Sequence, residues 1–261
     1  LSLELIKGLR VELMANRTKM DNSSSYFRYN QDQDRYVNDS PRDQGSFSVS
    51  MINWSTAFSA NDDNFVNQVF ENLLENRKTI SQRFGAENPG SSLDSETGYY
   101  DGYGPTNQDV VITSFLAAYT GKSAESVKLN PLKLLPAPNW DITYDGLTKL
   151  ALFDKIFRTF IVKNSYRSTF NVGNYQTNLL YIPGENVRDP ARNFLPEKQI
   201  AVVTIQESMR PLLGFDATLK NSLLAKFEYN RDRSLSLSLT NNQVTEIRGK
   251  EYVIGTGYRF K

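Results

Sequence analysis

The sequence predicts an all-β chain: an antiparallel transmembrane β-barrel segment, part of a very large barrel, with a partly helical loop insertion. Three observations point there. Strict two-residue alternation of apolar and polar side chains recurs along much of the chain, the mark of strands with unlike surroundings on their two faces. Some alternating stretches are far longer than the strands of soluble domains. No run of about 18 apolar residues exists, which argues against a transmembrane helix and leaves crossing to strands.

The longest stretch organises the rest. From Leu213 to Tyr229 the odd positions are Leu213, Phe215, Ala217, Leu219, Leu223, Ala225, Phe227 and Tyr229, with Asn221 the exception. The even positions, among them Asp216, Thr218, Lys220, Ser222, Lys226 and Glu228, are mostly polar. Asn230-Arg231-Asp232-Arg233 reads as a turn, after which Leu235, Leu237 and Leu239 alternate with Ser234, Ser236, Ser238 and Thr240. The pattern predicts a hairpin whose first strand spans about 56 Å at ~3.3 Å per residue. An outer-membrane strand needs ~9–11 tilted residues to cross and can run on into water. The odd set from Leu213 to Tyr229, with Leu235, Leu237 and Leu239, is therefore the candidate lipid-facing stripe. A large soluble sheet with one face covered reads from the same alternation.

The other elements follow in order. Leu1 to Arg17 alternates as a long strand, with a bulge at Ile6 and Lys7. Thr18 to Asp43 reads as a polar loop around a short strand at Tyr26–Tyr29. Gly45 to Ser59 resumes alternation through Phe47, Val49 and Met51, then switches parity to Ile52, Trp54 and Phe58. Phe65, Val66, Val69, Phe70, Leu73, Leu74 and Ile80 fall at helical spacing, with Asp62 or Asn61 as cap and Gly85 as stop. That helix either lies on a membrane or partner, or packs on its own loop. The cluster Gly98-Tyr99-Tyr100-Asp101-Gly102-Tyr103-Gly104 lacks the strand, helix and Lys-Ser/Thr of a phosphate loop and reads as a tyrosine-rich turn. Asp109 to Tyr119 predicts a short helix ending at Gly121, and Pro131, Pro136 and Pro138 lead extended chain onward.

Trp140, Ile142 and Tyr144 alternate as a strand, and Leu147 to Phe157 predicts a turn of helix. Phe160, Val162, Tyr166, Phe170 and Val172 form the next strand, with Gly173-Asn174 as a hairpin turn into Tyr175–Tyr181. Ile182 to Lys198 reads as loop, Ile200 to Gln206 as a strand apolar on both faces, and Tyr252 to Phe260 as the last strand. Strands over 1–60 and 138–261 thus flank a partly helical insertion over 61–137, a candidate cap, lumen constriction or partner-docking element. Tyr166, Tyr181, Tyr229, Tyr252 and Tyr258 are candidates for aromatic girdles at the membrane interfaces, or for ordinary core packing.

Composition narrows the chemistry. Thirty Lys and Arg against twenty-nine Asp and Glu leave a net charge of +1, and no basic run interleaved with aromatics suggests nucleic acid. The chain has no cysteine and no histidine, which excludes disulfides, thiolate sites, Ser-His-Asp systems and most zinc sites. Carboxylates and lysines stand in no catalytic spacing, so no catalytic, cofactor or metal residue is assigned and no enzyme is expected. A mean hydropathy of −0.49 is compatible with a barrel, whose lumen and loops are polar. The first residue is Leu1, so the chain is expected to be processed or cut from something longer.

Three segments carry a resemblance. They are Gly102-Tyr103-Gly104-Pro105-Thr106-Asn107-Gln108-Asp109-Val110 with Phe115-Leu116-Ala117-Ala118-Tyr119; Pro138-Asn139-Trp140-Asp141-Ile142-Thr143-Tyr144-Asp145-Gly146-Leu147; and Leu223 to Leu239 followed by Glu251 to Lys261. Together, and in order over nearly the whole chain, they resemble the C-terminal part of the SprA (Sov) family. That family is the giant outer-membrane translocon of the type 9 secretion system in Bacteroidota, needed for gliding motility where cells glide. The resemblance implies a bacterial outer-membrane location and a wall piece of a barrel that exports folded cargo to the cell surface. It further implies as partners the remaining segments of the same large barrel, an outer-membrane shuttle barrel, a periplasmic plug protein, secreted cargo with a C-terminal secretion domain, and membrane lipid. The family is many times longer and continues past Phe260, so this chain is expected to be a fragment unable to close alone. The other readings are a smaller nutrient-receptor barrel and a soluble secreted β-rich binding domain.

Overall fold

The structure, a computed structural model, describes residues 1–38, 41–63 and 67–260. Phe65, Val66 and Lys261, which entered the sequence reading, lie outside the described residues, as does the side chain of Leu5. The strands are β1 (Ser2–Ile6), β2 (Leu9–Met14), β3 (Arg17–Ser24), β4 (Phe27–Asn30), β5 (Arg35–Asn38), β6 (Arg42–Ser50), β7 (Asn139–Tyr144), β8 (Phe157–Thr177), β9 (Lys198–Ile200), β10 (Val202–Leu219), β11 (Leu223–Ser238) and β12 (Gln243–Tyr258). The helices are α1 (Gln68–Glu87), α2 (Gln108–Thr120) and α3 (Ala151–Ile156).

The fold is mostly antiparallel β, as the alternation predicts, and the described residues form no closed barrel. Ten strands make one sheet whose main path runs β1-β2-β7-β8-β10-β11-β12, while β4 and β5 pair apart as a hairpin. The 21-residue β8 is its spine. One edge of β8 pairs with β7 (Trp140↔Tyr166) and then β6 (Val49↔Phe170); the other pairs with β10 and then β9.

Several boundaries differ from the sequence reading, each for a physical reason. Leu213 to Tyr229 is not one strand. The turn is Lys220-Asn221-Ser222, where Ser222 takes φ 71° and the Asn221 side chain accepts from the Leu223 N–H. Asn230 to Arg233 is instead the middle of β11, with Arg231 opposite Met209 on one side and Lys250 on the other. The register pairs Leu213 with Tyr229 and Ala217 with Ala225, so odd residues oppose odd residues and the alternation passes through the turn unbroken. The same parity hid the hairpin β1–β2, where Leu3 faces Val11 and Gly8 makes the turn at φ 89°. Gly173 and Asn174 lie inside β8, because Tyr175 is held on both edges, by Gly45 and by Ile200. Arg17 to Ser24, polar but for Met20 and exposed along its length, is a strand by virtue of pairing with β6. Past Ser50 the parity switch marks the end of β6 and a turn-rich loop over 51–59.

The insertion folds onto the sheet. Asn67, not Asn61 or Asp62, caps α1 by accepting from the Val69 N–H, and the helix runs past Gly85, which lies against the Tyr100 ring. Asn107 caps α2, and Gly121 closes it in the left-handed region at φ 68° as the sequence predicts. Every residue from Val110 to Tyr119 is buried. Thus α2 packs into the core with α1 and with Phe47, Val49, Phe170, Val172, Val203, Ile205, Leu235 and Leu237 of the sheet. The helix packed on its own chain is the reading that holds for α1, through Val69, Leu73 and Ile80.

Candidate functional site: an apolar sheet face beside a buried ionic seam

One face of the sheet changes character along the strands. Its upper rows, Phe47, Val172, Val203 and Leu237, then Val49, Phe170, Ile205 and Leu235, are in register with one another and lie beneath the helices. Its lower rows are Leu213, Tyr229 and Tyr252; Val162, Phe215, Phe227 and Ile254; Phe160, Ala217, Ala225 and Thr256; and Phe157, Leu219, Leu223 and Tyr258. This lower half is open: Ile254 is 75% exposed, Tyr252 65% and Tyr258 55%. A two-residue bulge between Met209 and Leu213, holding Pro211 that has no N–H for a ladder, preserves parity, so both halves share one face.

The candidate stripe is therefore divided. Leu213, Phe215, Ala217, Leu219, Leu223, Ala225, Phe227 and Tyr229 form one continuous surface with β8 and β12. Leu235 and Leu237, at 0% and 1% exposure, do not face lipid, because α2 and α1 close over that half; Leu239 packs against the same core. The aromatics divide likewise. Tyr229 stacks on Tyr252 at 4.9 Å along the upper border of the open half, and Tyr258 meets Phe260 at 5.0 Å along its lower border. Tyr166 is no girdle residue: it is fully buried, stacked on Trp140 at 4.5 Å. Tyr181 belongs to the loop over 178–197, which clasps the helical layer through Arg188 and Asp101 (2.6 Å). At the lower corner, α3 carries Phe153 onto Phe160 (5.1 Å) and leaves Leu152 and Ile156 exposed.

The opposite face is mostly polar, though Val202, Leu224 and Ile247 stand exposed on it. Lys163 pairs with Asp216, Lys226 with Glu228 (2.9 Å), Arg167 with Asp141 (2.8 Å), and Arg210 with both Asp232 and Glu251 (2.8 Å to the latter). Exposed pairs of this kind add little stability each. They do give most charges along β8, β10 and β11 on that face a partner of opposite sign.

Between the two halves of the apolar face lies a seam of buried charge. Arg233 Nε stands 3.0 Å from Glu207 Oε2, both residues buried, and the Tyr166 hydroxyl donates to Glu207 Oε1 at 2.6 Å. Burial raises the Glu207 carboxyl above the ordinary range, and the Arg233 charge and Tyr166 hydroxyl offset only part of that. Three arginines then grip the 51–59 loop. Arg233 donates to the Thr56 carbonyl (2.6 Å) and hydroxyl (3.0 Å), Arg231 to the Ala57 carbonyl (2.9 Å) and Arg248 to the Ser59 carbonyl (2.7 Å). The loop returns Trp54 against Trp140 (5.6 Å) and Tyr166 (5.3 Å). Sequence reading missed this seam, yet its signal was present. Glu207 interrupts the buried parity Val203, Ile205, Met209, and Arg233 interrupts Leu237, Leu235.

No family model matches the chain, and no curated protein matches it either. Among the described residues no helix is long and apolar enough to cross a membrane, and no cluster of acidic side chains has a metal-ligating arrangement.

Proposed function

We propose that the chain is a wall segment of a protein-conducting outer-membrane pore, the export role that the resemblance to the type 9 translocon implies. The observation that carries the membrane part is the open apolar half bounded by aromatic rows. From Tyr252 through Phe260 the chain extends about 27 Å, close to the ~9–11 residues with which a tilted strand crosses hydrocarbon, and aromatics at both borders match interfacial girdles. The mostly polar opposite face lines the aqueous lumen. The helical layer then stands on the outer flank above the bilayer, a cap and not a constriction of the channel. The outer edges of β1 and β12 have no partner strand among the described residues. In hydrocarbon each unsatisfied backbone group costs several kcal/mol, so both edges pair with further segments of the barrel.

Native residues that compete for thiol labelling are absent, because the chain has no cysteine. A benzophenone on Phe227→Cys is expected to cross-link lipid in isolated outer membranes. The same probe on Lys226→Cys, one residue along but on the other face, is expected to capture cargo polypeptide in transit. Failure of the first to capture lipid sinks the membrane reading; lipid at the first with no polypeptide at the second sinks the export reading.

A further inference from the structure

This inference rests on the membrane reading of the open face. Arg231 and Lys250 are cross-strand partners on β11 and β12. They stand two residues beyond Tyr229 and Tyr252 on the same face, about 7 Å farther along the strands. The cations one row higher are matched, Arg233 by Glu207 (3.0 Å) and Arg248 by Glu246 (2.7 Å). This pair is not. Arg231 contacts the Ala57 carbonyl and the Phe58 ring (4.8 Å), and feels Glu207, already paired with Arg233, only at longer range. Lys250 is exposed, and its side chain has no ion-pair or hydrogen-bond partner among the described residues. Two carboxylates, Glu207 and Glu246, thus stand against the four cations Arg231, Arg233, Arg248 and Lys250, leaving an excess of two positive charges on the lipid side.

We propose that Arg231 and Lys250 seat the phosphate of an anionic membrane lipid. Tyrosines mark the headgroup level of a barrel wall, and a cation one row above them is at phosphate depth. The remaining guanidinium donors of Arg231 and the three of Lys250 point to a ligand with several acceptor oxygens. On the polar face Lys163, Lys226 and Arg210 of the neighbouring strands each have a carboxylate, whereas neither Arg231 nor Lys250 has one within ion-pair distance.

The test is lipid selectivity of the intact protein in phosphatidylcholine vesicles, read from the motionally restricted fraction of spin-labelled phosphatidylglycerol against spin-labelled phosphatidylcholine. The native protein is expected to prefer phosphatidylglycerol. Lys250→Gln, which releases nothing else, lowers that preference about fivefold, Arg231→Lys retains it, and Lys226→Gln on the other face leaves it unchanged. An undiminished preference in Lys250→Gln, with the total restricted lipid unaltered, overturns the lipid seat alone. Loss of the preference on adding inorganic phosphate assigns a soluble-anion site and also overturns it. No restricted lipid of either kind in the native protein overturns the membrane reading beneath it.

Discussion

Leu235 and Leu223 stand on the same strand, at the same parity and on the same face, yet one is 0% exposed and the other 36%. Nothing in the alternation separates them. The difference comes from chain far away in sequence: the helices capped by Asn67 and Asn107 close over the upper rows, while the lower rows stay open, with Phe153 of α3 at their corner and Tyr144 of β7 beside Val162. A strand pattern therefore states that a face is apolar and leaves open what covers it. The seam of Glu207, Arg233 and the 51–59 loop is where the two solutions meet, and it ties the helical layer to the sheet.

The comparison breaks most sharply at that seam. Arg233→Met leaves Glu207 buried without its ion-pair partner, held by the Tyr166 hydroxyl, and removes one of the donors to the Thr56 carbonyl together with the donor to its hydroxyl. Removing one partner of a buried pair costs about 3–5 kcal/mol. Denaturant unfolding of the variant is expected to show that loss, with α2 amides losing hydrogen-exchange protection ahead of the lower strands. The double variant Glu207→Leu with Arg233→Met recovers part of it. Equal loss of protection in both halves counts against the seam as the link between the layers.

A second, smaller effect tells the two halves apart by their solvent. Leu235→Ala empties a packed core position and is expected to cost about 2–5 kcal/mol in any medium. Ile254→Arg, on the open half, is expected to cost about 2–4 kcal/mol in a bilayer and little in water, where its neighbourhood is already exposed. Stability measured in vesicles and in a mild detergent-free buffer separates the cases. An Ile254→Arg variant that folds equally well in both shows that no hydrocarbon touches that row.

Much of this was legible in the sequence, and the gaps have a common origin. The strand stretches, the helix ending at Gly121 and the apolar set Leu213 to Tyr229 follow from period and caps. The turn at Lys220-Asn221-Ser222 was masked because an even-sum register keeps odd residues on one face across a hairpin. Gly173-Asn174 looked like a turn because local chemistry says nothing of the two neighbours that hold Tyr175 in a strand. The fate of Leu235, Leu237 and Tyr166 was set by contacts with residues of the 51–137 stretch, which no periodicity within β8 or β11 encodes. The seam left a trace, charges at buried parity, that alternation counts treat as noise.

The smallest expected effect concerns acid. Arg188 donates to both Asp101 oxygens at 2.6 and 2.7 Å, and that hydrogen bonding holds the Asp101 carboxyl below the usual carboxylate range against the opposing pull of burial. A carboxyl depressed in the folded state stabilises above its unfolded value and loses that contribution as pH falls through the folded one. The 178–197 loop is therefore expected to loosen from the helical layer progressively as pH falls from the ordinary carboxylate range to below it. Pepsin, active there, is expected to cut near Arg188 increasingly as pH drops, while Asp101→Asn is cut at a rate nearly independent of pH. The apolar face of the lower strands, from Leu213 to Tyr258, carries no carboxylate. Cleavage there that rose with the same acid dependence would show that the two halves open together, and the division drawn between them would fail.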